Sequence, residues 1–246
     1  MDRLLYIAMN GAKHSLYRQD VTASNLANAS TNGYKAQNVA FRVAPVVGPG
    51  MATRAFSVES TPNADLSSGV LHTTGRALDV AVHGRGWIAV QDAKGGEAYT
   101  RNGSLQIDAS GVLTTSNGQV VIGDGGPIAV PENSEVTIGK DGSVTVLSNG
   151  QYNAMTSIGR IKLVNPADAD MVRGDDGLFR QKSNQPAEAD AGVNLASGVL
   201  ESSNVNAVTT LVNIIEQSRF FDMQMQLMKK ADDNAGSASR VLNLST

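Results

Sequence analysis

Ser24-Asn25-Leu26-Ala27-Asn28-Ala29-Ser30-Thr31-Asn32-Gly33-Tyr34-Lys35 is where one kind of chain gives way to another. Upstream of it, Leu5, Met9, Ala12, Leu16, Gln19, Ala23 and Leu26 recur at alternating spacings of four and three, and only Gln19 is polar. That spacing gathers them on one side of a helix, as a seam meant to lie against another helix. Then the pattern stops. Asn28, Ser30, Thr31, Asn32 and Gly33 prefer turns to helix interiors, and Gly33 accepts the left-handed conformation that ends a helix. Residues 1 to about 33 are therefore expected to form one helix, inside an N-terminal segment 1–36, with Gly11 a local weak point.

The other terminus is a near-mirror image. Leu200-Glu201-Ser202-Ser203-Asn204-Val205 opens a second helical pattern that runs almost to Thr246, in a segment 199–246. Ser203 is the expected N-cap, with its side-chain oxygen facing the free amides of the first turn. Ala207, Leu211, Ile214, Ser218, Phe221, Met225, Met228, Asp232, Ala235, Ser239 and Leu242 follow the same four-three spacing. Val208, Ile215, Phe220, Leu227 and Val241 widen the stripe, and a wide stripe calls for more than one neighbouring helix.

Between the two lies a different chain. Residues 37–65 hold Pro45, Pro49 and Pro62 with Gly48 and Gly50, and read as an extended linker with a strand at Val39 to Val47. From Leu66 to about Leu195 the period is two. Leu78 to Val82 and Trp87 to Val90 flank a turn at Gly84-Arg85-Gly86. Further turns fall at Asp108-Ala109-Ser110-Gly111, Ser116-Asn117-Gly118, Lys140-Asp141-Gly142, Ser148-Asn149-Gly150 and Asp175-Asp176-Gly177. Asn-Gly and Asp-Gly between alternating apolar residues mark hairpins, because both pairs accept positive φ. The expected fold class is mainly β with terminal α-helices: an all-β central domain over 66–198 and a coiled-coil domain made from the two termini.

Composition narrows the function. The 246 residues include no cysteine, which excludes disulfides and thiolate metal sites and suits a chain that crosses compartments unfolded. A net charge of −3 gives no general affinity for nucleic acid, and no stretch approaches a membrane span. Met1-Asp2-Arg3 leads into an amphipathic pattern broken by Lys13, His14 and Arg18 rather than into an apolar signal block. Aromatics make up 4 % of the chain, which leaves little to line a deep pocket. No helix pattern follows Gly84-Arg85-Gly86, so it is a turn and not a phosphate loop. His14, His72 and His83 are scattered without zinc spacing, and Asp175-Asp176-Gly177 is too short for a calcium loop. Met223, Met225 and Met228 sit at helical spacing and read as packing, while Lys229-Lys230 beside Asp232-Asp233 is a solvated face. No enzyme activity, cofactor or metal is expected.

Three motifs carry a resemblance. Asn25-Leu26-Ala27-Asn28 with Thr31 and Gly33-Tyr34-Lys35 is the first. Gly75-Arg76-Ala77-Leu78-Asp79-Val80-Ala81-Val82 with Gly84, Gly86 and Tyr99-Thr100-Arg101-Asn102-Gly103 is the second. Leu200-Glu201-Ser202-Ser203-Asn204-Val205 with Arg219 and Phe221 is the third. In this order they resemble the axial proteins of the bacterial flagellum, the rod and hook subunits, and the opening Met1 to Ala12 looks most like a proximal-rod member. The resemblance implies a structural subunit of the flagellar basal-body rod, with distal-rod and hook-type subunits as the alternative within the family. It implies a terminal helical pair lining the rod, a β-domain outside it, export through the flagellar type III apparatus without a cleaved signal, and assembly in the periplasm. Its partners would be copies of itself and other proximal and distal rod proteins, with no nucleic acid and no membrane insertion. The stripes and motifs together give the expected assembly interface: Leu5, Met9, Ala12, Leu16, Ala23, Asn25, Leu26, Asn28, Thr31, Gly33, Tyr34, Asn204, Val205, Val208, Leu211, Ile214, Ile215, Phe221, Met225 and Met228. A reading from another class, a carbohydrate-binding β-domain on a helical stalk, would need exposed aromatics or paired carboxylates. Trp87, Tyr99 and Tyr152 are the β-region's only aromatics of the polar-edged kind, and no acidic pair stands out.

Overall fold

A computed structural model describes residues 2–45, 55–59, 63–148 and 155–243. Pro49, Pro62, Gly48, Gly50, Tyr152 and the turn expected at Asn149-Gly150 lie outside the described residues, as do the side chains of Ser239, Val241 and Leu242. The chain is mainly β with one long helix near each terminus, and it divides into two compact units. One unit comprises Met1–Ala27, Gln37–Asn63 and Asn206–Thr246; the other comprises Asn28–Ala36 and Ala64–Val205.

In the helical unit, α1 spans Asp2–Ala27 and α2 spans Ala207–Asn243, and the two pack together. Both are shorter than expected at the end that meets the β-rich chain. α1 stops six residues before Gly33, because Asn28 and Thr31 engage each other: the Thr31 hydroxyl donates to Asn28 Oδ1 at 3.2 Å and the Thr31 N–H donates to the Asn28 carbonyl at 3.1 Å. Such local bonds offer the backbone an alternative to the helix. α2 starts at Ala207 because Asn206, not Ser203, is its cap: Asn206 Oδ1 accepts from the Thr209 N–H at 3.0 Å. Ser203 Oγ accepts from the Val205 N–H instead, and Val199–Glu201 is a strand. Residues Phe41–Pro45 and Ala55–Glu59 pair antiparallel, and Phe41 packs edge-on against His14 of α1 at 4.7 Å.

The seam between α1 and α2 differs from the expected stripe. On α1 the covered positions are Ala8, Ala12 and Ser15, with Gln19, Thr22 and Leu26 half-buried. On α2 they are Thr210 and Ala231, with Ile214, Gln217, Phe221, Gln224 and Met228 half-buried. Both sets keep the four-three spacing, offset by one position from most of the larger apolar residues. Of the expected stripe, Leu5, Met9, Leu16 and Ala23 on α1 and Leu211 and Met225 on α2 are exposed. Small side chains explain the offset, since they let the helices approach closely enough for hydrogen bonds across the seam. Ser15 Oγ donates to the Gln217 carbonyl at 2.9 Å, and Gln217 Nε2 donates to Thr22 Oγ1 at 3.0 Å.

In the β-rich unit the expected turns appear where the Asx-Gly signals put them. Asp108 Oδ1 accepts from the N–H groups of Ser110 and Val112, closing the hairpin of Leu105–Ile107 with Leu113–Thr115. Gly142 and Gly177 adopt φ of 84° and 79° in the turns between Ser134–Ile138 and Ser143–Ser148 and between Met171–Arg173 and Phe179–Gln181. The largest sheet has five antiparallel strands in the order Leu163–Val164, Trp87–Gln91, Glu97–Thr100, Phe179–Gln181 and Met171–Arg173. A three-stranded meander runs Ser134–Ile138, Ser143–Ser148 and Met155–Arg160. Val80, Ile88, Val90, Leu105, Leu113, Val121 and Val144 are fully buried in the main core, and Trp87 stacks with Phe179 at 4.6 Å in a second cluster.

Tyr99 belongs to that second cluster. Its hydroxyl donates to Glu97 Oε1 at 2.9 Å and accepts from the Ala187 N–H at 2.6 Å. Burial, outweighing the opposing Ala187 N–H and reinforced by the Glu97 carboxylate, pushes its pKa from 10.0 up to about 12. A phenol with a raised folded-state pKa stabilises the fold fully below pH 10 and loses that contribution as pH climbs through its folded value. Urea titrations across pH 9–12 are expected to show the wild type losing on the order of 2 kcal/mol more than Tyr99→Phe over that window. Parallel pH profiles for the two proteins would contradict the assignment.

Candidate functional site

Residues from all three motifs meet inside the β-rich unit, around one carboxylate. Glu201 ends the strand Val199–Glu201, which pairs with Leu71–Thr73, and its side chain is 1 % exposed. Oε1 accepts from Lys35 Nζ at 2.6 Å and from the Gly69 N–H at 2.9 Å; Oε2 accepts from Arg101 Nη1 at 3.1 Å. The Lys35 side chain is 0 % exposed and Arg101 4 %. Lys35 Nζ also donates to the Ser67 carbonyl at 2.7 Å, and Arg101 Nη2 donates to the Gly84 carbonyl at 2.8 Å while its guanidinium lies 5.3 Å from the centre of the Trp87 ring. Burial lowers the Lys35 pKa, against the opposing pull of the Glu201 hydrogen bond and charge. Two cations and one anion thus share a dry site, where charges survive only when paired and hydrogen-bonded.

Backbone contacts repeat the convergence. The Gly33 N–H donates to the Glu201 carbonyl at 2.8 Å. Gly33 has φ of 69°, and a Cβ there would fall 2.2 Å from the Arg101 carbonyl carbon, so both conformation and space require glycine. Asn204 uses every polar atom of its amide: Oδ1 accepts from the Ala36 N–H at 2.8 Å, and Nδ2 donates to the carbonyls of Asp65 and Ser67 at 2.8 and 3.2 Å. The Arg173 guanidinium sits 4.4 Å from the Tyr34 ring centre and donates to the Lys35 carbonyl at 3.0 Å. Arg76 and Asp79 of the second motif form their own pair, with Nε 3.1 Å from Oδ1 and the Thr74 hydroxyl donating to Oδ2 at 2.7 Å.

The residues expected at an assembly interface divide into two groups. Gly33, Tyr34, Asn204 and Val205, with Asn28 and Thr31, lie in this cluster or beside it, buried or half-buried and bonded within the chain. Asn25 lies in the helical unit, where its amide pairs with both backbone groups of Gln37 at 2.9 and 2.8 Å. Leu5, Met9, Leu16, Ala23, Val208, Leu211, Ile215 and Met225 are exposed on α1 and α2; Ala12 is buried and Leu26, Ile214, Phe221 and Met228 half-buried in the seam. Sequence reading passed over Lys35, Arg101 and Glu201 as site residues. A charged residue beside turn formers ordinarily reads as solvated, and only the recurrence of all three within the motifs pointed to them. Among the described residues no group of three or more His, Cys, Asp or Glu could hold a metal ion, and no helix is long and apolar enough to cross a membrane.

Glu201→Gln removes the carboxylate that pairs with both Lys35 and Arg101, so the protein is expected to lose about 3–5 kcal/mol of stability in urea titration. Adding Lys35→Met should recover part of that loss; a double variant as unstable as the sum of the singles would show that the charges are not coupled. Gly33→Ala should cost several times as much as Gly75→Ala. Gly75 has a similar φ of 74° but open space around its Cβ position, so it bears only the backbone strain of about 1–2 kcal/mol. Equal costs at the two positions would remove close packing as the reason for Gly33.

Comparison with known proteins matches this arrangement of motifs segment by segment. Residues 5–35 match the family described as Flagella basal body rod protein, 81–146 the Flagellar hook protein FlgE/F/G D1 domain, and 196–241 the Flagellar basal body rod FlgEFG protein C-terminal family. The flagellar basal-body rod protein FlgF of Escherichia coli K12 is 47 % identical over 252 residues, covering 100 % of both chains. FlgF of Salmonella typhimurium LT2 is 46 % identical with the same coverage. The flagellar basal-body rod protein FlgG of Bacillus subtilis 168 is 30 % identical over 258 residues, covering 95 % of this chain and 96 % of its own. With identity of this order along its whole length, the chain belongs to the flagellar basal-body rod protein family.

Proposed function

We propose that the protein is a non-enzymatic structural subunit of the flagellar rod, of the proximal FlgF type, which assembles through its terminal helices. The observation that carries this reading is the inverted apolar pattern of the helical unit. The fully covered positions of its internal seam are the small residues Ala8, Ala12, Ser15, Thr210 and Ala231, while Leu5, Met9, Leu16, Val208, Leu211 and Ile215 face outward. Large apolar residues arranged along helices in this way mark a surface awaiting other chains. The four-three spacing of the covered residues supports pairing of α1 and α2 as a coiled coil. Higher identity to FlgF than to FlgG supports the proximal over the distal position. In this reading the partners are copies of itself and neighbouring rod proteins, the route is the type III export apparatus without a cleaved signal, and the rod is built in the periplasm.

Met9→Asp and Leu211→Asp test it. Each replaces a side chain that is exposed in the single chain, so thermal unfolding of the purified protein should shift by no more than about 0.5 kcal/mol equivalent. In cells lacking the native gene, both variants should reach the periplasm, fail to co-purify with basal bodies and leave the cells non-motile. Normal rod incorporation by both would sink the reading.

A further inference from the structure

The seam between α1 and α2 holds amides where paired helices ordinarily hold aliphatic side chains. Along α2, Thr210, Gln217, Gln224 and Ala231 recur every seven residues and alternate with Ile214, Phe221 and Met228. Gln217 sits between two hydroxyls of α1: Ser15 Oγ donates to its carbonyl at 2.9 Å, and its Nε2 donates to Thr22 Oγ1 at 3.0 Å. The Thr22 hydroxyl proton is committed to the Arg18 carbonyl at 2.7 Å, so only a donor can face it, and the orientation of the Gln217 amide is fixed. That orientation leaves Gln217 Oε1 buried with no hydrogen-bond partner among the described residues. One heptad along α2, Gln224 lies over Gly11, where a Cβ would fall 3.1 Å from Gln224 Oε1. A buried amide used at one end only is a poor choice for stability, and its placement calls for another reason.

We propose that Gln217 and Gln224 set the register of α1 against α2, so that the two helices of one chain close in a single alignment at a cost in stability. This goes beyond the rod-subunit reading and does not rest on it. Ile214, Phe221 and Met228 are all large and apolar, so apolar burial distinguishes only weakly between alignments one heptad apart. The polar layers do distinguish them. Residues 22, 15 and 11 of α1 meet α2 first at 217 and then at 224, so the helices run in opposite directions. A slip of one heptad in one direction brings Ala231 to Gly11, two small residues that leave a gap between them. The opposite slip brings Thr210 to Thr22. The Thr210 hydroxyl already donates to the Asn206 carbonyl at 2.7 Å, so two acceptors would then face each other. A single polar seam position specifies register in paired helices in this way, at the expense of stability. Register decides what the unit displays, because each heptad of slip shifts Leu5, Met9 and Leu16 by about 10 Å against the exposed Leu211 and Ile215.

The chain has no cysteine, so spin labels attach only where thiols are introduced. Asp20→Cys and Lys230→Cys, at two exposed positions, put one label on each helix of the full-length protein. Double electron–electron resonance should give one distance in this labelled parent. Adding Gln217→Leu should create a second population displaced by about 5–10 Å, the scale of one heptad along a helix axis. Its thermal midpoint should stay at or above that of the parent. Thr22→Val, which keeps the shape but removes the hydroxyl acceptor, should create the same second population, whereas Thr22→Ser should keep the single distance. A broad distribution in the parent would overturn the proposal, as would one unchanged distance in both Gln217→Leu and Thr22→Val. A lowered midpoint with the single distance retained would overturn it too, since Gln217 would then serve stability alone. Should Gln217→Leu not fold, Thr22→Val against Thr22→Ser decides by the same distances: a second population in the first and not the second upholds the proposal, and any other result sinks it.

Discussion

The pairing of two buried cations, Lys35 and Arg101, with the single carboxylate of Glu201 is the constraint on which the β-rich unit depends. Each element around it is placed so that this carboxylate is fully used. The strand Val199–Glu201 delivers it, the Gly69 N–H and Lys35 Nζ share one oxygen, and Arg101 takes the other. A buried ion group of this kind is weak evidence for extra stability, because desolvation cancels much of the attraction. Its value is in discrimination. A chain segment that docked one residue out of register would bury Lys35 without an anion, and that arrangement is far worse than any apolar mismatch.

The helical unit follows the opposite logic. Its internal seam is small and partly polar, joined by Ser15, Thr22 and Gln217, and it contributes little apolar burial for helices of 26 and 37 residues. Isolated helices draw most of their stability from tertiary packing. Many of its large apolar side chains, Leu5, Met9, Leu16, Leu211 and Ile215 among them, are exposed, whereas the β-rich unit is closed by its own core. One chain therefore carries a half closed by its own core and a half that leaves large apolar side chains exposed.

Much of this was legible in the sequence. The change of period from about 3.6 to 2 near residue 66 gave the fold class, and Asp108, Asp141 and Asp176 gave turns because Asx side chains close them locally. The helix boundaries were less accessible. Asn206 outcompeted Ser203 as a cap, and nothing in the local pattern separates two good capping residues three positions apart. The seam was misplaced by one position because hydrophobicity alone chose Leu5, Met9 and Leu16, whereas close helix approach favours Ala8, Ala12 and Ser15. Lys35, Arg101 and Glu201 were invisible as a cluster for a simpler reason. They are separated by 66 and 100 residues, and only tertiary structure brings such groups together.

The Lys35–Glu201 contact also bears on the entropy of pairing the two helices. Ser15 and Gln217 lie 202 residues apart in sequence, and pairing α1 with α2 from the unfolded chain means closing that whole loop. Closure entropy grows with loop length, and contacts of such separation are the slow ones in folding. Once the β-rich unit has formed, however, residues 35 and 201 are held 2.6 Å apart, and only short arms remain between that clasp and the helix pair. If the Lys35–Glu201 contact forms first, the loop that pairing of Ser15 with Gln217 has to close shrinks from 202 residues to the short segments flanking that contact.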